Sequence, residues 1–288
     1  MDRAPVNPLK ALLRAIVGRA ARPYITGPRV TDAIACAVAL QRGGSSSTLA
    51  YWNDTGEDPR QVCAAYLEAV DSLAAAGLPG YVSIKAPALG LSQELTDAVA
   101  ARCGERGIGL HFDSLAAEHQ PAVFAHIEQL SVTGVALGCT LPAKFGRSPA
   151  DADRAIALGL RIRIVKGQWD DPGQPVEPRR GFLTLVERLA GRAAHVAVAT
   201  HDPDLAERSL RMLLAAETPT ELELLFGLPS GPVLDVAERL AVPVRIYVPY
   251  GRAWLPYAAS AARRDPRILW RLFSDAVRGR RRQAVHTP

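Results

Sequence analysis

RIRIVKGQWDDP, residues 161–172, begins as a strand should and ends as strands rarely do. Ile162, Ile164 and Val165 are β-branched, and such side chains fit a pleated, half-buried surface, so the run reads as one strand of a sheet or barrel. It ends in Lys166, Gly167, Gln168 and Trp169, which puts a cation and an indole where the chain leaves the core. A lysine in that position implies something for it to meet.

Seven other short runs begin the same way: STLAYW (47–52), YVSIKA (81–86), GIGLHFD (107–113), GVALGCT (134–140), HVAVATH (195–201), ELELLFG (221–227) and VRIYVPYG (244–251). With RIRIVKG (161–167) they make eight. Between them lie stretches of helical periodicity, DPRQVCAAYLEAVDSLAAAG, SQELTDAVAARCGERG, SPADADRAIALG, FLTLVERLAGRA, DPDLAERSLRMLLAA and SGPVLDVAERLA. Several start on an Asp or Ser N-cap, often followed by Pro, and several stop at Gly. Repeated βα units in a chain of 288 residues predict an α/β fold, a closed (β/α)8 TIM barrel. No linker divides it, so a single domain is expected. Residues 1–43 supply N-terminal helices packed on the barrel, and residues 44–288 form the barrel itself with a C-terminal helix and a basic tail.

The composition narrows the function classes. Apolar residues make up 48%, enough for a substantial core. The net charge is +5, but of 34 basic residues only Lys10, Lys85, Lys144 and Lys166 are lysine, an arginine bias that points to a GC-rich genome rather than a polyanion partner. Part of the charge sits in the tail RGRRRQAVHTP (278–288), where like charges are usually solvated, and no nucleic-acid-binding motif accompanies it. Cys36, Cys63, Cys103 and Cys139 are far apart without CxxC spacing, so they read as reduced, mostly buried cysteines, and no metal is expected. No run approaches the length of a membrane span, and PLKALLRAIVGRAARPY (8–24) is amphipathic and broken by arginines rather than signal-like. A cytoplasmic protein with no transmembrane segment is the expectation; its oligomeric state stays open.

In a barrel of this kind the chemistry gathers at the C-terminal ends of the strands. Those ends carry Asn53 and Asp54, Lys85, Asp113, Thr140, Lys166 with Gln168, Thr200 with His201 and Asp202, and Tyr247 with Tyr250. Any one of these could simply meet water or a helix end. Together, with Arg163 pointing inward, they predict a cationic, aromatic bowl suited to an anionic or electron-rich ligand.

These residues resemble those of a known family. VSIKAPALG, LHFDS, RIRIVKGQW, VATHD, ELELLFGLP and VRIYVPYGRAW-x-x-Y are similar, in order and one per strand, to the signatures of the FAD-dependent proline dehydrogenase family, over the span from about Arg22 to Arg271. The resemblance implies a distorted (β/α)8 barrel that holds FAD noncovalently over the strand ends. It would oxidise a secondary amine to an imine by hydride transfer to the flavin N5 and pass the electrons to a quinone or oxygen. On this resemblance Arg163 lies near N5 as a fixed cation, Lys166 contacts the flavin or its phosphates, and Gly167, Gln168, Trp169, the Thr200–His201 pair and Glu223 complete the cofactor side. On the substrate side Lys85 and Asp113 are expected to pair and to shift each other toward the charged forms. Tyr247, Trp254 and Tyr257 wall the pocket.

The departures are specific. Where the family continues with two arginines that clamp a carboxylate, YAASAARRDP (257–266) places Ser260 and Ala261, with Arg263 and Arg264 about one helical turn further on. Gly138 stands where a flavin-contacting Gln is usual, Gln168 and Trp169 replace Ala and Tyr, and Glu223 replaces a Gln. The expected substrate is therefore an amine other than free L-proline (modified, larger or lacking the carboxylate), with a place in specialised metabolism. Three alternatives stay open: an ordinary L-proline dehydrogenase in which Arg263 and Arg264 replace the clamp, a flavin-free barrel acting as a binding or accessory protein, and a Schiff-base lyase using Lys85 or Lys166.

Overall fold

The computed structural model describes residues 26–251. Its eight strands are β1 (Ser46–Trp52), β2 (Gly80–Ile84), β3 (Gly109–Phe112), β4 (Leu137–Pro142), β5 (Arg161–Val165), β6 (His195–Ala199), β7 (Thr220–Leu225) and β8 (Val244–Gly251). They pair in parallel and in sequence order, and β8 closes on β1 through the register Ser46↔Arg245 to Trp52↔Gly251. Around them run α1 (Val30–Arg42), α2 (Pro59–Ala75), α3 (Gln93–Arg106), α4 (Gln120–Leu130), α5 (Ser148–Ala157), α6 (Pro178–Leu189), α7 (Pro203–Ala215) and α8 (Gly231–Arg239). The expected (β/α)8 barrel is thus present, with α1 packed on β1 and β8 ahead of the first strand. The rest of the N-terminal segment, the C-terminal helix and the basic tail lie outside the described residues.

The helix starts follow capping chemistry, with two corrections. Asp58, Ser92 and Asp202 accept hydrogen bonds from the backbone N–H groups of Arg60, Leu95 and Leu205, as their residue types imply. Ser148, in contrast, is the first helical residue rather than the cap, and its hydroxyl donates to the Pro142 carbonyl at 2.6 Å. Helix α6 starts at Pro178, ahead of the apolar run FLTLVERL, because the Glu177 carboxylate accepts from the Arg179 and Arg180 N–H groups.

The two faces of β5 divide the molecule. Ile162 and Ile164 are fully buried in the apolar layer between strands and helices, while Arg161 and Arg163, on the opposite face by period-2 alternation, enter the lumen. Barrel lumens are commonly filled by Val, Ile and Leu. This one holds charge: Arg161 and Arg245 both contact Glu221, their guanidinium carbons lie 4.2 and 4.5 Å from the Tyr81 ring centroid, and Arg163 pairs with Glu223 and Asp113. The β-branched residues of β5 therefore pack under the helices, and arginines occupy the lumen, as the inward reading of Arg163 implied. Tyr250, read as a rim residue, also turns outward: its hydroxyl donates to the Ala65 carbonyl at 3.1 Å.

Candidate active site

The strands end sooner than their apolar runs suggest: β5 stops at Val165, leaving Lys166, Gly167, Gln168 and Trp169 in the following loop. That loop is tied to the one after β4 by the Lys144–Asp170 ion pair at 2.8 Å, by Asp171 accepting from the Gly146 N–H at 3.2 Å, and by a bridge between Phe145 and Pro175. Gly167 has φ +92°, a conformation that favours glycine, and its bare backbone is left against a cleft. The cleft, of about 330 Å³, sits at the C-terminal mouth and is of the size that small-molecule sites have. Each described residue singled out from the sequence for cofactor or substrate faces it, with the exception of Lys166.

Lys166 stands at the rim, half-exposed, 3.3 Å from Asp202. Asp202 also receives Arg179 at 2.8 Å and caps α7. The lysine of the opening stretch thus meets a carboxylate shared with a second cation.

On the floor, Arg163 donates through Nε and Nη2 to the two oxygens of Glu223 at 2.9 and 2.7 Å, and through Nη1 to Asp113 at 2.7 Å. Glu223 also accepts from the Thr48 and Tyr81 hydroxyls, both at 3.1 Å. Burial works against a carboxylate, but the surrounding guanidiniums, Arg163 first, outweigh it and hold Glu223 down at about 2. Burial likewise opposes the charge on Arg163, and Glu223, Tyr81 and Asp113 reverse the balance, raising it well above the ordinary arginine value. The expected bowl of positive charge is therefore corrected: the guanidinium on the floor faces two carboxylates of its own chain.

Asp113 and Lys85 do not act on each other as expected. The Asp113 oxygens are taken by Arg163, by the Ser83 hydroxyl at 2.8 Å and by the Tyr247 hydroxyl at 2.7 Å. Lys85 donates from Nζ to the Tyr51 carbonyl at 2.8 Å, and its own N–H goes to the Tyr66 hydroxyl at 3.0 Å. Burial pushes the ammonium down to about 8, against the pull of nearby Asp113 and with the help of Arg163. The shift is toward the neutral amine, the reverse of the expectation, because desolvation outweighs an attraction that Asp113 spends mostly elsewhere. Tyr247 is raised well above the usual phenol value by burial and then by Asp113, so it stays a neutral donor.

His201 uses both ring nitrogens on backbone. Nδ1 lies 3.0 Å from the Pro229 carbonyl and Nε2 accepts from the Leu225 N–H at 3.0 Å; the carbonyl can only accept, so the proton is on Nδ1. Both nitrogens are thus spent fastening the end of β7 and the loop after it, while the side chain lines the cleft. Thr200 accepts from the Asp202 N–H at 3.2 Å and keeps its own proton to donate.

His111 escaped the sequence reading, although GLHFD places it two residues before Asp113 on the same strand face. It is buried, its Nε2 lies 2.9 Å from the Thr140 hydroxyl, and its ring tilts against Tyr81 at 5.4 Å. Burial, then the lumen arginines, hold it well below the usual histidine value, so it is neutral. It occupies the space that Gly138 leaves: a Cβ at 138 would sit 2.4 Å from His111 Nδ1 and 2.9 Å from the Arg161 carbonyl. The side chain missing from β4 is thus replaced by one from β3. Gly138→Ala is expected to cost about 1–3 kcal/mol through overpacking, and His111→Ala in the same chain to recover part of it; a double-mutant cycle by urea unfolding measures that coupling.

Trp254, Tyr257, Ser260, Ala261, Arg263 and Arg264 lie outside the described residues.

No family model matches the chain. Among curated relatives, proline dehydrogenase 1 of Bacillus subtilis subsp. natto is 24% identical over 254 residues, covering 82% of this chain and 84% of the relative. The proline dehydrogenase of Deinococcus radiodurans is 26% identical over 288 residues, covering 90% of each. Over most of its length the chain is similar to proline dehydrogenases. Among solved structures, proline utilization A from Bdellovibrio bacteriovorus, inactivated by N-propargylglycine, superposes with a TM-score of 0.74 at 16% identity. The match covers 88% of this chain but only 33% of that one, so the likeness is to a third of a longer protein, and at this identity it concerns the fold.

Proposed function

We propose that the cleft binds FAD noncovalently and that the protein oxidises an amine other than free L-proline to the imine, as a proline dehydrogenase-type oxidoreductase whose electrons pass to a quinone or oxygen. The observation that carries this reading is the convergence of the residues chosen from the family resemblance, on six different strands or strand ends, onto one cleft. The residues present fit a flavin ring: Leu224, Leu225, Leu228 and Trp169 offer apolar walls, Gln168 and Thr200 offer polar groups, and Gly167 offers bare backbone. When bound, the flavin supplies the two-electron acceptor for the C–H bond beside the substrate nitrogen.

The chain's own groups do the rest. Only a neutral amine can release that electron pair, so the substrate ammonium must lose a proton. Lys85, weakened to about 8 and held at the cleft wall, suits the task of accepting it. Asp113, oriented by Arg163, Ser83 and Tyr247, provides the negative end for the ammonium before that transfer. The substrate choice is supported by Ser260 and Ala261 standing where the family resemblance puts a carboxylate clamp.

The visible spectrum of the purified protein tests this directly. Bands of bound flavin, bleached anaerobically by a cyclic or acyclic amine but not by L-proline, are the expected result. A colourless protein that cannot be reconstituted with FAD would overturn it, and turnover of L-proline that is lost in Arg264→Ala would return the assignment to ordinary proline oxidation.

A further inference from the structure

The charged floor of the cleft has a consequence for what can bind above it. A carboxylate is best recognised by a guanidinium that offers two parallel N–H groups. Arg163 is the one arginine among the described residues that lines the cleft, and its fork is already closed on Glu223, with Nη1 turned to Asp113. Glu223 cannot easily let go. It is 2% exposed and is held from two further directions by Thr48 and Tyr81. Among the described residues the remaining cation of the lining is Lys85, directed to the Tyr51 carbonyl. Among the described residues a ligand's carboxylate would therefore approach two buried carboxylates and meet no arginine fork left open to it, whereas an ammonium would approach the same two carboxylates favourably.

We infer that Glu223 is a specificity-determining residue: by occupying the Arg163 fork it makes the cleft select amines without a carboxylate over amino acids of the same skeleton. This rests on the cleft being the amine site. It adds the residue responsible and the ligand class, a cyclic or acyclic amine whose substituent at the neighbouring carbon is uncharged.

L-Prolinamide and L-proline share the ring and differ in the charge of one group, which makes them the probes. Binding of each to the purified protein is measured by isothermal titration calorimetry, beside Glu223→Gln and Glu223→Asp. Wild type should bind L-prolinamide at least tenfold more tightly than L-proline. Glu223→Gln, which keeps the shape and removes the charge, should narrow that ratio at least tenfold, and Glu223→Asp, which keeps the charge, should preserve it. Equal or tighter binding of L-proline by wild type, no binding of either probe, or an unchanged ratio in Glu223→Gln would overturn the inference. Its failure is separable from that of the functional reading, because the ratio is read by heat whether or not a flavin is bleached: preference for the amide in a protein without flavin sinks the oxidation chemistry alone, and flavin bleaching without the preference sinks the selectivity alone.

Discussion

Replacing Arg163 by methionine should lower the free energy of unfolding by about 3–5 kcal/mol, the cost of removing one partner from a buried ion pair. Two carboxylates lose their main partner at once, Glu223 at 2% exposure and Asp113 at 9%. Glu223 keeps two hydroxyl donors and Arg161, whose Nη2 is 3.8 Å away. Guanidinium unfolding at pH 7 measures the loss, and a loss under about 1 kcal/mol would show that the cluster does not hold the barrel as the geometry implies. The pH dependence gives a second check. A carboxylate held at about 2 when folded, below its ordinary 4.5, contributes stability that is fully present above about 4.5 and is lost as the pH falls through 2. Wild type should therefore weaken over that acid window more steeply than the variant, which has lost the cause of the depression. Removing both partners, as Arg163→Met with Glu223→Leu, should recover part of the stability, since apolar replacement of a whole buried pair is often neutral.

Lys85→Met should do the opposite to stability while removing activity. A loss of about 10²–10⁴-fold in turnover of the amine substrate is expected for a residue that moves the substrate proton. Stability at pH 7 should be unchanged or higher by about 1–3 kcal/mol, because a buried ammonium is replaced by an apolar chain of similar length. The groups that bear on this ammonium are Asp113, which raises its proton affinity, and Arg163, which lowers it, with the Tyr51 carbonyl as hydrogen-bond acceptor. The sign follows from its lowered folded value of about 8 against 10.5: the unfolded chain binds more protons between those values, so the cost of the buried charge is full below about 8 and fades as the pH rises toward 10.5. The stability gap between variant and wild type should accordingly close at high pH, and the limb of kcat/KM near pH 8 should disappear in the variant. Equal turnover by the variant would remove Lys85 from the mechanism.

Much of the architecture could be read from local pattern. Alternation along RIRIV, the β-branched runs and the Asp or Ser before Pro at helix starts depend only on residues near one another in sequence, and they placed eight strands in the right order. The cleft residues were legible for the same reason: a position at the end of a strand in a parallel barrel is a position at the mouth. His111 could have been read by extending the same alternation one step inward. What the resemblance to a family added was a role for each residue; what the structure added was the partners of Arg163 and the direction in which Lys85 is shifted.

The sequence alone determined the barrel, the end at which its site lies and the chemistry-bearing side chains brought there, since strand period and chain direction are local properties. Tertiary structure decided their charge states and partners: that Arg163 is closed by Glu223, sixty residues away, that Lys85 is weakened by burial rather than strengthened by Asp113, and that His111 fills the place beside Gly138. Such outcomes depend on register and on how water is excluded across the closed lumen. The same guanidinium or ammonium changes its energy by several kcal/mol with the distance to its neighbours and the dielectric around it, and neither quantity exists until the barrel has closed.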